Sequence, residues 1–459
     1  MWTAVRDAVR GTHQEDYARG PIGRAIFLLA VPMVLEMLME SIFAVTDVFF
    51  VSRLGADAVA TVGLTESMLT LIYAMAMGLG MGATAVVARR VGEQDAEGAS
   101  RAAAQAIAVA LVVSLVLGVA GAVMAPTLLR LMGASPSVIA TGTGYARIML
   151  GGEATIILLF VVNAIFRGAG DAAVAMRVLI IANLINIVLG PLLIFGPGPF
   201  PALGVTGAAV ATTIGRGTGA LIALRMLTRG GGRVTVARRH MRPDPEVMRQ
   251  IVRIAGNGAF QAFVGMASWI GLVRLLSSYG SHVIAGYTIG IRVIIFALLP
   301  SWGVSNAAAT MVGQALGAKD PARAERAVWL AGFYNTLVLG AVGLVFVIFA
   351  TPIIRAFTTD PAVVPYGVDC LRIVASGFLF YAYGMVLTSA FNGAGDTWTP
   401  TWINLLVFWA FEIPLAWVLA VRMSMGPRGV FLAIAIAFSS LAVVSGIVFR
   451  RGKWKERVV

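Results

Sequence analysis

The chain has 459 residues and a formal net charge of +13; 59% of its residues are hydrophobic, 12% are charged, and mean hydropathy is +0.87. Soluble domains carry about a quarter charged residues, so these figures exclude a soluble globular domain and predict an integral membrane protein. The charge excess would suit a nucleic-acid partner, but its placement along the chain excludes one.

The first stretch, 1–21, is polar, with Arg6, Asp7, Glu15 and Asp16. It lacks the short apolar core and small-residue cleavage site of a signal peptide and reads as a cytoplasmic tail. Twelve apolar stretches follow, over 22–52, 57–88, 98–125, 137–165, 172–196, 202–227, 246–277, 282–313, 322–349, 362–391, 397–421 and 428–450. Each is long enough to cross a hydrocarbon core of about 30 Å. The predicted fold is an all-α membrane protein of twelve transmembrane helices. The helices divide into two six-helix bundles, 22–228 and 246–450, joined by a linker, 229–245, and followed by a tail, 451–459.

The first span carries Pro32, which removes a backbone donor and favours a bend. Beyond it stand Glu36, Glu40 and Asp47, within about 40° of one another on one helix face. Such a stripe cannot face lipid; it should line water or polar protein, the setting a proton or cation relay needs. Pairing with membrane arginines such as Arg147 or Arg216 is the purely structural alternative. Glu66 in the second span and Glu153 in the fourth complete the acids of the first half. The fourth span also supplies Asn163, the fifth Asn183 and Asn186 on one face with Gly190, and the sixth Thr212. Such amides either join helices or ligate a cation. The second half holds one firmly internal acid, Glu412, so polarity is concentrated in the first bundle. Met75 and Tyr381 belong to clusters that pack helices or present polarizable and aromatic faces to a lipophilic cation. Pro191, Pro300 and Pro414 mark further bends.

The second half repeats the first at an offset of 225 residues: Gly55 meets Gly280, Gly78 meets Gly303, Gly92 meets Gly317 and Asp95 meets Asp320. Gly168-Ala169-Gly170-Asp171 likewise meets Gly393-Ala394-Gly395-Asp396. Six spans per copy give both copies the same orientation, related by a pseudo-two-fold axis along the membrane normal, with a substrate path at their interface. The loop pairs read as C-cap glycines, Gly92 and Gly317, followed by N-cap aspartates. Most of the 35 Lys and Arg lie in the two tails and in every second loop, including the glycine-rich linker from Arg229 to Pro245. That asymmetry places both termini and the linker in the cytoplasm and accounts for the charge by topology and anionic lipid. Cys370, the single cysteine, excludes an internal disulfide. His13, His240 and His282 are too scattered for a metal cluster, and the chain carries no P-loop, so neither an enzyme nor an ATP-driven pump is expected.

Three motifs resemble those of the multidrug and toxic compound extrusion (MATE) transporters: Val45-Thr46-Asp47-Val48-Phe49-Phe50-Val51-Ser52-Arg53-Leu54-Gly55, the run from Ala309 to Ala318, and Phe166-Arg167-Gly168-Ala169-Gly170-Asp171 with its partner from Phe391. The resemblance extends over nearly the whole chain. It implies a V-shaped pair of bundles in a bacterial or archaeal cytoplasmic membrane, exporting lipophilic or cationic small molecules in exchange for H⁺ or Na⁺. No cofactor is implied; the other partners are membrane lipids, and a monomer would suffice. In the DinF-like branch, to which the chain is most similar, a first-span aspartate works with fifth-span polar residues. Asp47 and Asn186 match these, making Na⁺ at Asp47 and Asn186 an option, although Gly190 stands where the branch motif has an aspartate. Gln261 aligns with a seventh-span glutamate of another branch. A lipid-linked oligosaccharide flippase of a related superfamily would instead use cavity arginines, for which Arg274 and Arg292 are candidates. A channel or a non-transporting membrane protein is the further alternative. Pro32 is the expected hinge.

Overall fold

The computed structural model describes residues 2–11, 17, 19–230 and 232–457. His13, Glu15, Asp16 and Gly231 lie outside them. The described residues form helices and connecting turns, with no strand among them. The first half holds α1 (Trp2–Arg10), α2 (Ile22–Ser52), α3 (Ala56–Gly92), α4 (Ala96–Leu131), α5 (Pro136–Gly151), α6 (Glu153–Ala169), α7 (Ala172–Phe195) and α8 (Val205–Arg229). The second holds α9 (Pro245–Leu276), α10 (Ser281–Gly317), α11 (Pro321–Arg355), α12 (Val364–Ser376), α13 (Phe378–Gly393), α14 (Trp398–Asn404), α15 (Ile413–Trp417) and α16 (Pro427–Arg450). Eleven spans are long and apolar enough to cross a membrane, and α12 with α13, bent by 60°, makes a twelfth. The protein is a multi-pass, all-α membrane protein of two pseudo-symmetric bundles.

The repeat is visible in the backbone. Left-handed φ angles recur 225 residues apart at Gly55 and Gly280 (98° and 101°) and at Gln94 and Lys319 (60° and 59°). Asp95 and Asp320 cap the helices that follow, accepting from the backbone N–H of Gly98 and Arg323 at 2.8 Å each. Gly92 and Gly317 correct the C-cap expectation by one residue: each is the last residue of its helix, and Glu93 and Ala318 stand at the caps. A Cβ on Gly92 would stand 2.0 Å from the Gln314 carbonyl oxygen, and one on Gly317 would stand 2.2 Å from that of Arg89. These glycines let α3 and α10 cross backbone to backbone. With lipid tails as apolar as leucine, such close small-residue packing supplies helix association in a membrane.

The bundles share their first helices. Buried Ala25, Leu28, Leu29 and Met33 of α2 join the core of the second half, while Ile251, Ile254 and Ala255 of α9 join that of the first. Further along, α2 turns its polar face to α7.

Four expectations are modified. The N-terminal stretch is not merely a polar tail, because α1 folds against α2 and α7 with Ala8 buried. The linker does not simply run through water; it docks on the first bundle. The Gln105 amide donates to the carbonyls of His240 and Arg242 at 3.0 and 2.9 Å, and Val234, Val236 and His240 are buried. Helix α2 runs unbroken through Pro32, as α7 and α10 do through Pro191 and Pro300. Around Pro414, which has no N–H to give the preceding turn, the helix widens to π geometry over Leu405–Glu412 and Val418–Arg422. The sharp break lies elsewhere, at Gly377 in the tenth span, and Gly152, 225 residues earlier in the fourth, is a milder interruption between α5 and α6. Close approach to α16 requires glycine at the sharp break: a Cβ on Gly377 would stand 2.9 Å from the Ala435 carbonyl oxygen.

Candidate functional site: an ionic patch in the first bundle

Four helices bring polar side chains together at the middle of the first bundle. Helix α2 supplies Glu36, Glu40 and Asp47; α6 supplies Asn163 and Arg167; α7 supplies Asn183 and Asn186; α8 supplies Thr212 and Arg216. The last three sets are i, i+4 or i, i+3 pairs, so each helix turns two residues to the same face.

Glu36 is buried and ion-paired to Arg167, with Arg167 Nη1 2.6 Å from Glu36 Oε1. Asn163 lies beside the same carboxylate. One turn along, Glu40 receives Arg216 Nη2 at 2.8 Å on one oxygen and Asn183 Nδ2 at 3.1 Å on the other. Asn186 Nδ2 donates to Thr212 Oγ1 at 2.8 Å. The Arg216 guanidinium stands 5.4 Å over the ring of Phe43, between Glu40 and Asp47 along α2. Beside this patch Gly190 leaves open space: nothing lies within 4 Å of where its Cβ would be.

Asp47 differs from the two glutamates. It is half-buried, and among the described residues no side chain or backbone group forms a hydrogen bond or ion pair with it. Its nearest charged company is Glu66 of α3 and Arg216, both within electrostatic range. Glu66 is exposed and in turn feels Arg292 of α10 across the space between the bundles. Burying a charge without a partner is costly, so a carboxylate left unpaired here needs water, a proton or a cation for company. That is the chemical capacity of the site.

Of the pairings weighed from sequence, Arg216 is present and Arg147 is not; Arg147 is exposed and Arg167 stands in its place. No sequence signal paired Arg167 with Glu36, because helical periodicity groups residues along one helix and says nothing across two. Gln261 is buried on α9, with its Oε1 unpartnered among the described residues. Met75 is half-buried on α3, and Arg274 and Arg292 are exposed. Two cavity candidates are corrected. Glu153 is enclosed instead, 0% exposed, with both carboxylate oxygens unpartnered among the described residues. It starts α6 just after the Gly152 break and is pressed towards Gly118 of α4. Tyr381 is a packing residue of the second bundle, stacked on Phe438 with ring centroids 3.8 Å apart. A groove of about 390 Å³ opens at the α12–α13 break, lined by Ser376, Leu432, Ser439 and Val443, and shares no residue with the patch.

The bundles meet on one side of the patch, at the end that carries the basic loops. Thr310 Oγ1 donates to the Arg167 carbonyl at 3.1 Å, and Gln314 Nε2 to that of Gly168 at 2.9 Å. Two of the motifs noted in the sequence thus bind each other.

Comparison with known proteins agrees with this architecture. The sequence profile of the MatE family matches residues 32–192 and 254–418. The "probable multidrug resistance protein YoeA" of Bacillus subtilis is 25% identical over 443 residues, covering 95% of each chain. The "probable multidrug resistance protein NorM" of Thermotoga maritima is 25% identical, covering 95% of this chain and 94% of its own. A crystal structure described as the "outward-facing conformation of a multidrug resistance MATE family transporter" superposes with a TM-score of 0.90 at 26% identity, covering 96% of this chain and 98% of that one.

Proposed function

The chain belongs to the MatE family, and from that premise we propose that it is a secondary active exporter of lipophilic or cationic small molecules. Export is exchanged for H⁺ or Na⁺ through Asp47, and no cofactor takes part. The observation that carries this reading is the contrast within one stripe: Glu36 and Glu40 are each held by an arginine, whereas Asp47 is partly accessible and unpaired among the described residues. Of the three acids on α2, Asp47 alone among the described residues can take up and release a coupling ion without first breaking a salt bridge. The multidrug-resistance descriptions of the relatives support a small-molecule cargo.

In this reading the protein sits as a monomer in a bacterial or archaeal cytoplasmic membrane, with both termini and the 229–245 linker inside, because the basic loops face the cytoplasm. The end where the bundles touch is then the inner end, and the state described is open outward. The units that move are 22–228 and 246–450. Occupation of Asp47 removes its charge from the patch, and α2 bends at Pro32, where one backbone hydrogen bond is already missing. Asp47 and Asn186 support reading the chain as nearest the DinF-like branch.

The test is Asp47→Asn in proteoliposomes loaded with a fluorescent organic cation. A general acid–base or coupling group of this kind contributes at least about 100-fold, so gradient-driven efflux is expected to fall by that factor while the protein stays folded. Efflux at the wild-type rate from folded Asp47→Asn would remove the mechanism.

A further inference from the structure

We propose that Arg216 is a tethered cation that occupies the place between Glu40 and Asp47 where a free metal cation would otherwise bind, and so makes the exchanger indifferent to Na⁺. The proposal rests on the reading of the first-bundle patch as the coupling site and settles which ion that site takes.

The geometry is specific. Arg216 is buried, its side chain 4% exposed. A guanidinium offers five N–H donors in a planar fork and cannot be deprotonated in a protein. Here Nη2 is used on Glu40, while Nε and Nη1 are buried and unpartnered among the described residues. Phe43, three residues after Glu40 and four before Asp47, holds the guanidinium over its ring. Glu40 and Asp47 are the acids whose charge the guanidinium feels. The fixed positive charge is therefore present at the level where two acids of α2 would attract a mobile one.

The oxygen atoms around Glu40 are committed as well. A hard cation needs several oxygen ligands at once. Both oxygens of Glu40 already accept N–H bonds, and the Thr212 hydroxyl accepts from Asn186. A sodium ion drawing on Glu40 would have to displace a guanidinium that the chain cannot release, since the arginine is covalently held and permanently charged. A proton needs only one carboxylate oxygen and makes no such demand. Gly190 fits the same account: the space beside the patch holds no further carboxylate that could tilt the balance toward a metal ion.

The experiment compares wild type, Arg216→Gln and Arg216→Lys, purified in detergent, by thermal unfolding in NaCl and in choline chloride at one pH. In parallel, dye efflux from proteoliposomes is driven by a Na⁺ gradient without a pH gradient. Wild type and Arg216→Lys should show no difference between the salts and no Na⁺-driven efflux. Arg216→Gln frees Glu40 and its neighbours, and should melt about 3 °C higher in Na⁺ than in choline. Because that variant leaves a buried acid unpaired, the charge-neutral pair Glu40→Gln with Arg216→Gln is the second arm, expected to respond to Na⁺ more weakly through Asp47. A Na⁺ response of the wild type overturns the proposal, as does indifference of both folded variants that lack the guanidinium. Loss of dye efflux under every gradient, with the Na⁺ responses as expected, would sink the transport reading and leave the assignment of Arg216 standing.

Discussion

Glu36 and Arg167 show what an ion pair does at this depth. Their side chains are 3% and 13% exposed, and the pair closes at 2.6 Å. Forming such a pair gains little net stability, but removing one partner strands the other charge, at a cost of about 3–5 kcal/mol. Glu36→Gln is therefore expected to lower the thermal unfolding midpoint markedly in detergent. Glu36→Gln combined with Arg167→Gln should recover most of the loss, since no charge is then orphaned. A double variant no more stable than Glu36→Gln alone would show that the two residues act separately. The acids of this patch were legible in the sequence because each interrupts an apolar run where a charge is costly. Their partners were not. Arg167 lies at the end of its span beside a loop motif, and Arg216 is a lone arginine on another helix; neither spacing nor period links them to α2.

At the scale of elements, boundaries were legible and breaks were not. Turn residues recur at a fixed offset, so Asp95 and Asp320 marked helix starts that the structure keeps. The interruptions at Gly152 and Gly377 lie inside apolar stretches, marked only by Gly151-Gly152-Glu153 and Ser376-Gly377, and the helix pressed against Gly377 is one that sequence alone does not place. Proline misled in the other direction. Pro32 and Pro191 stand in continuous helices, while a non-helical residue in α11, Phe349, lies just ahead of the unremarked Pro352. Gly92 and Gly317 make the strongest element-level prediction. An added methyl at either would meet a backbone oxygen of the opposite bundle at 2.0–2.2 Å, a contact that only helix displacement can relieve. Gly317→Ala should therefore push α3 and α10 apart at the basic end. Spin labels at Gln94 and Lys319 would report a longer distance than in the parent protein, and an unchanged distance would mean the crossing is not held by those glycines.

For the whole molecule, twinned bundles are dissimilar in one respect that matters: the first carries the ionic patch, and the second carries Glu412 alone deep in a span. On the proposed reading, coupling chemistry and rigid-body partner are divided between the two copies. At the basic end, arginine contacts to peptide carbonyls add to the Thr310 and Gln314 bonds and the glycine crossing that join them. Arg323 of α11 donates Nη2 to the Tyr17 carbonyl at 2.7 Å, tying the N-terminal segment to the second bundle. Tyr17 in turn lies under Arg233 of the linker, 4.6 Å from its ring centroid. On the other side, Arg89 of α3 donates Nη2 to the Arg457 carbonyl at 2.8 Å, while Arg457 pairs with Asp396 at 3.2 Å. Each terminal segment thus bridges the two bundles. Hydrogen bonds from a charged donor contribute about 1.5–3 kcal/mol each, enough together to shift a two-state equilibrium by 100-fold or more. Arg89→Ala with Arg323→Ala is accordingly expected to favour opening at this end. The readout is maleimide labelling of a cysteine placed at Ala309, 6% exposed in the closed arrangement, in a background where the buried Cys370 is replaced by alanine. Labelling should be slow in the parent and faster in the double variant. Equal rates would mean that the glycine crossing and the Thr310 and Gln314 bonds keep the end shut and that the terminal segments only rest upon it.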